Sequence, residues 1–191
     1  MNPFQKTKKQ KSIFITAGYP EIDSLSKQIE LLDSHAIDFI EVGIPFSDPL
    51  ADGPVIQKTS EIAISNGMNL SLLFEQIDQI ETKTPLVLMG YINPVLNYGM
   101  ENFVKSCKLR QIASVILPDM SVEIYERFYQ DIFESNSLPV TFLITPDTTH
   151  TRILKIVKHC KMSFVYLVSG NSTTGTAGDL QLNTEKIREI K

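Results

Sequence analysis

The feature that most constrains this chain is an alternation: short runs rich in β-branched and large apolar residues recur along it, each followed by a longer stretch of helical period. The runs are Ser12–Thr16, Asp38–Val42, Pro85–Met89, Ser114–Leu117, Val140–Ile144 and Phe164–Val168. Helical patterns lie at Asp23–Ser34, Val55–Asn66, Leu70–Ile80, Met100–Lys108, Val122–Glu134, Thr149–Cys160 and Asn183–Ile190. Strands that alternate with helices form βαβ units and pair in parallel. Breakers stand where the strands end, at Gly18, Gly43, Pro94, Pro118, Pro146 and Ser169–Gly170. No linker or low-complexity segment interrupts the series, so one domain over residues 1–191 is expected. Six units suit an open doubly wound sheet, or most of a barrel that closes with eight, and periodicity does not choose between them.

Composition narrows the function classes. With 42% apolar and 21% charged residues the chain falls in the ordinary globular range. A formal charge of −4 and a pI near 5.4 give no overall attraction for phosphate backbones or anionic membranes, so neither nucleic acid nor membrane is expected as a partner. The lysines at Lys6, Lys8, Lys9 and Lys11 precede an apolar stretch that runs only from Ile13 to Ala17, too short for an export signal or a membrane span. Cys107 and Cys160 lack the spacing of a metal site and read as buried free thiols, which fits a reducing cytoplasm.

The most informative stretch is Phe39-Ile-Glu-Val-Gly-Ile-Pro-Phe-Ser-Asp-Pro-Leu-Ala-Asp-Gly-Pro54. Glu41 lies inside an apolar strand, two residues before the glycine that ends it. Both faces of a parallel sheet are covered, so a carboxylate there is costly unless it lies at the C-terminal mouth of the strand, beside solvent or a ligand. That mouth is where barrel and doubly wound enzymes keep their chemistry. The alternative is a carboxylate that bonds nearby backbone amides. Asp52 before Gly53, and Asp48 before Pro49, read on their own as turn residues. His150 reads as an exposed helix start, His35 and His159 as helix ends, and Tyr91 and Tyr166 as packing groups.

The segment Glu41-Val-Gly-Ile-Pro-Phe-Ser-Asp-Pro-Leu-Ala-Asp-Gly-Pro-Val-Ile-Gln57 resembles the signature of tryptophan synthase α chains almost residue for residue. Further similarity follows in order at Phe14–Pro20, Leu88–Pro94, Ile116–Asp119 and Phe164–Ser169. The resemblance implies a (β/α)₈ barrel that cleaves indole-3-glycerol phosphate to indole and glyceraldehyde 3-phosphate by a retro-aldol reaction. It implies no metal or cofactor on this chain. The partner it implies is the β subunit, which holds pyridoxal phosphate, in an α₂β₂ assembly. By position, Glu41 matches the catalytic glutamate of the family and Asp52 the catalytic aspartate. Phe14, Tyr91 and Tyr166 match positions that line the indole pocket, and Thr174 and Gly175 match the substrate loop after strand six. The loop with Pro45 and Asp48 matches the surface that faces the β subunit.

Departures from the family pattern set further expectations. Ser169-Gly-Asn-Ser-Thr-Thr-Gly175 replaces a segment that in the family usually carries an arginine and a further glycine, and the last glycine of the chain is Gly178. The seventh and eighth strands, with their phosphate loops, are therefore expected to be missing, leaving the barrel C-terminally incomplete and the cleavage activity impaired. His35, Gln111, Ser114 and Ser163 stand where relatives usually have glycine. Three functions are compatible with these features: an active lyase, a non-catalytic subunit that binds and activates the β subunit, and another barrel enzyme acting on a phosphorylated sugar or indole.

Overall fold

The computed structural model describes residues 2–4 and 9–168. Six strands, β1 (Ser12–Thr16), β2 (Phe39–Gly43), β3 (Leu86–Met89), β4 (Ser114–Ile116), β5 (Val140–Ile144) and β6 (Val165–Leu167), pair in parallel in the order of the sequence. That order decides what periodicity leaves open. A doubly wound sheet reverses its strand order at a switch point, whereas consecutive winding belongs to a (β/α) barrel. The strands form part of a barrel wall, with helices packed on its outer side. No helix among the described residues is long and apolar enough to cross a membrane.

The helices are α1 (Ser24–Asp33), α2 (Pro54–Ser65), α3 (Leu70–Ile77), α4 (Ile92–Tyr98), α5 (Met100–Leu109), α6 (Val122–Ile124), α7 (Gln130–Ser135) and α8 (His150–His159). Local chemistry sets several of their starts. Gly53 and Pro54 open α2, with the proline at a position whose amide has no intrahelical acceptor. The Asn69 side chain accepts from the Leu72 amide and Thr149 from the Arg152 amide, capping α3 and α8. Along α3 the buried residues are Leu70, Leu73, Phe74 and Ile77, one face at helical spacing. Fully burying side chains of this kind is worth about 1.5–3 kcal/mol each.

Apart from shifts of one to three residues at element ends, two elements differ from the sequence reading; the helix expected at Asn183–Ile190 lies outside the described residues. Pro94, taken there as a breaker, is the third residue of α4. A first-turn proline costs nothing in hydrogen bonds, because that amide has no partner inside the helix. The helix expected over Val122–Glu134 is divided by a π-helical turn, Tyr125–Tyr129. Residues eight apart on a regular α-helix are about 80° out of phase. The wider turn brings Tyr125 and Phe133 onto one face, where their rings meet at 5.7 Å.

Side chains alternate across the strands, giving two apolar layers. Outward residues such as Ile40, Val42, Leu86, Leu88, Val115 and Phe142 join the helices in the large core. Inward residues Phe39, Val87 and Ile116 form a second cluster, against which Phe4, Phe164 and Tyr166 pack. Ser114 shares the inward face with Ile116. Its hydroxyl lies 3.0 Å from that of Thr141 and 2.7 Å from that of Ser163, and Thr141 and Ser163 also pair with each other. Two serines expected where relatives have glycine are thus accommodated because buried hydroxyls satisfy one another.

Gln111, another such position, has φ +54°, a left-handed conformation that costs an L residue about 1–2 kcal/mol. Glycine is free of that cost but loses about 0.5–1 kcal/mol of unfolded-state freedom. Gln111→Gly is therefore expected to stabilise the fold by roughly 0.5 kcal/mol or more, raising Tm by a degree or two. A lower Tm in a thermal melt would contradict this. His35 is exposed just after α1 and is not among the described residues with positive φ.

Candidate functional site

Glu41 is the third residue of β2, in register with Phe14 on β1 and Val87 on β3. Val87 belongs to the inner cluster, so the carboxyl faces into the barrel, where it is 4% exposed. Burial pushes its pKa above the ordinary glutamate value, and the Ser12 hydroxyl pulls the other way. Tyr166 is close enough for electrostatic coupling: burial raises the pKa of its phenol, and the Glu41 charge adds to the rise.

Gly43 ends β2 beneath the ring of Phe14. A Cβ at Gly43 would lie 2.4 Å from Phe14 Cζ and 2.9 Å from Cε2, so the bare backbone is what admits the ring. Gly43→Ala is expected to cost about 1–3 kcal/mol by overpacking. Urea denaturation measures it, and unchanged stability would mean that Phe14 moves aside freely.

Beyond Gly43 the chain forms the loop to α2. Ile44 and Pro45 are buried at its root, whereas Ser47 and Asp48 are exposed. The loop returns at Ala51, whose amide donates to the Tyr91 hydroxyl at 2.8 Å. The Asp52 carboxyl lies beside Tyr91, near enough for its hydroxyl to influence the acid. Burial raises the pKa of Asp52 and the Tyr91 hydroxyl opposes the rise; the Tyr91 phenol itself is pushed up to about 12, chiefly by burial. The ring of Tyr91 packs against Phe46 at 5.3 Å and is only 6% exposed. Its polar end is therefore engaged with the loop, a role the sequence reading, which placed it on the pocket wall, did not contain.

Phe14, Asp52 and Tyr91 meet at a cavity of about 20 Å³, also lined by Thr16, Gly43 and Pro118. That is room for about one water molecule. A planar bicyclic ligand would require these side chains or the loop to shift. Glu41 is not on the cavity wall; it sits deeper on the inner face of β2. Thr174 and Gly175 lie outside the described residues. Among the described residues no group of three or more His, Cys, Asp or Glu side chains could hold a metal ion. Cys107 and Cys160 are buried and free, as expected. Sequence reasoning missed Ser12, and it gave no role to Asp119, although the family similarity at Ile116–Asp119 includes that residue. Strand parity with Phe14 was the available signal for Ser12.

Consecutive parallel strands with a buried carboxyl on the inner face, and a second carboxyl in the loop that follows it, define a (β/α) barrel protein with ionisable groups toward the C-terminal ends of its strands. The model of the tryptophan synthase alpha chain family matches residues 3–191, and the chain belongs to that family. It is 47% identical over 174 residues to the tryptophan synthase alpha chain of Christiangramia forsetii, covering 90% of this chain and 68% of that one. Among solved structures it is similar to the alpha subunit from Campylobacter jejuni, with a TM-score of 0.81 and 31% identity over 97% of this chain and 76% of the other. It is also similar to a chain of the tryptophan synthase complex from Pyrococcus furiosus, with a TM-score of 0.74, 31% identity and coverage of 83% and 65%.

Proposed function

We propose that this chain is an alpha subunit that cleaves indole-3-glycerol phosphate to indole and glyceraldehyde 3-phosphate. The observation that carries the reading is Glu41, a carboxyl held on the inner face of β2 that keeps its proton to higher pH than an exposed glutamate. The reaction needs a proton delivered to the indole carbon that bears the glycerol chain, and a base to take the proton of the adjacent hydroxyl. As that O–H breaks, its electrons form the aldehyde C=O, the carbon–carbon bond breaks, and its pair returns to the ring. One mobile carboxyl group can serve both proton transfers in turn. Protonation puts positive charge on the indole nitrogen, and Asp52 is suited to accept from that N–H. Phe14 and Tyr166 would offer aromatic faces to the ring, with Tyr91 beside them, while Thr174 and Gly175 belong to the loop proposed to meet the phosphate.

The likeness to the Pyrococcus furiosus complex supports a β subunit partner, met through the loop that contains Pro45 and Asp48. Asp48 is the exposed one of the two. Pyridoxal phosphate would belong to that partner and the assembly would be α₂β₂, and the two free thiols suit a reducing cytoplasm. A second reading, a subunit that activates the β subunit without cleaving substrate, is favoured by the Ser169–Gly175 segment, which lacks the arginine expected from the family resemblance. Steady-state indole release by the purified chain, with and without β subunit, tests both readings. Release that the β subunit enhances supports the lyase. Activation of the β subunit with no release selects the second reading, and neither effect would overturn both.

A further inference from the structure

Three loops at the mouth are tied in series. Asp119, in the turn after β4, accepts a hydrogen bond from the Ile92 amide at 2.9 Å. Ile92 is the first residue of α4, so its amide has no acceptor inside the helix, and Asp119 fixes the peptide that follows Tyr91. Tyr91 then reaches across to the loop after β2, where its hydroxyl accepts from the Ala51 amide beside Asp52, with which it lines one cavity. The Phe46 ring and near-complete burial leave the phenol little freedom to find other partners. Asp119 is itself exposed, so packing does not account for its place in this series.

We propose that Asp119 is a positioning residue for Asp52, acting through the Ile92 amide and the Tyr91 hydroxyl. Its catalytic consequence rests on the lyase reading, but the tether itself does not. Without Asp119 the Ile92 amide is left to water while Ile92 and Val95 stay packed on the core, and small rotations at the Tyr91 backbone are magnified at the far end of the side chain. The Ala51–Asp52 segment then loses its fixed anchor, and Asp52 no longer waits at one position for the charge that develops on the substrate. Misplacement of a stabilising group acts on kcat more than on KM, because its contribution is largest in the transition state.

The test is hydrogen–deuterium exchange of the full chain, read at the Ala51 amide, for wild type, Asp119→Ala, Asp119→Asn and Tyr91→Phe. Exchange at Ala51 is expected to rise about tenfold in Asp119→Ala and Tyr91→Phe, the scale of losing one hydrogen bond. Asp119→Asn keeps an acceptor oxygen for Ile92 and should stay close to wild type, while amides of α8 remain unchanged in all three. In the indole-release assay Asp119→Ala is expected to lower kcat about tenfold with KM within about twofold, and Asp119→Asn to recover most of it. Unchanged Ala51 exchange in Asp119→Ala, or a rise shared by the whole chain, overturns the proposal. If the wild type releases no indole the lyase reading fails, and the exchange data still decide whether Asp119 anchors the loop.

Discussion

Glu41→Gln is expected to reduce kcat for indole release by a factor on the order of 10³ or more, because the amide can neither donate nor accept the proton in flight. A positioned acid or base is commonly worth 10²–10⁴-fold, and here one group is assigned both transfers. The same substitution is expected to make the fold more stable at neutral pH. A carboxyl whose folded-state pKa is raised contributes most to stability below its unfolded value, near 4.5, and that contribution is lost as pH rises through the folded value. Burial of Glu41 is thus a cost at pH 7, whether the group ionises or holds its proton in the fold, and an uncharged isostere removes it. Thermal melts across pH should show Glu41→Gln above wild type near neutrality, with the gap closing toward pH 4.5. A variant that keeps activity within tenfold, or loses stability at pH 7 only, would refute the assignment of a buried proton carrier.

Phe74→Ala is expected to be the most damaging single change to the outer layer. Phe74 is 1% exposed; its ring lies 5.5 Å from that of Tyr98 and 6.0 Å from that of Phe103. The Arg110 guanidinium stands 4.8 Å over the same ring, while its Nε donates to the Phe74 carbonyl and its terminal nitrogen pairs with Asp78. One side chain therefore joins α3, α4 and α5. Removing it creates a cavity and takes away the ring beneath the Arg110 guanidinium, at a cost of about 3–5 kcal/mol. Total stabilities of domains are about 5–15 kcal/mol, so Tm should fall by roughly 10 °C. A loss below about 1 kcal/mol in urea denaturation would show that this layer repacks around the gap.

Much of the architecture was legible because strand and helix periods are local properties. β1 and β5 fall at the residues where β-branched runs begin and end, and α2 and α3 start where their opening residues suit a helix start. Pro94 misled because the same residue breaks a helix in its interior and suits its first turn; only the backbone path after β3 says which applies. The π-helical turn was invisible for a related reason. It answers to where Tyr125 must meet Phe133 and Phe142, and those contacts depend on β5 lying beneath them.

At the site, the sequence alone established that Glu41 is an ionisable group in an apolar strand, and that Asp52 lies in the loop beyond it, since both statements concern neighbours along the chain. The resemblance of the surrounding segment to one family could also be read from residue order. The consecutive strand order, the inward face of Glu41, its burial and its coupling to Tyr166 were decided by the tertiary structure. So was the engagement of Tyr91 with Ala51 and Asp52, groups about forty residues away. The physical reason is that pattern in a sequence specifies which side of its own element a residue takes. The free energy of a buried carboxyl, and the partner of a phenolic hydroxyl, depend instead on groups brought together from other strands and loops, and these are set only when the strands of the barrel wall assemble.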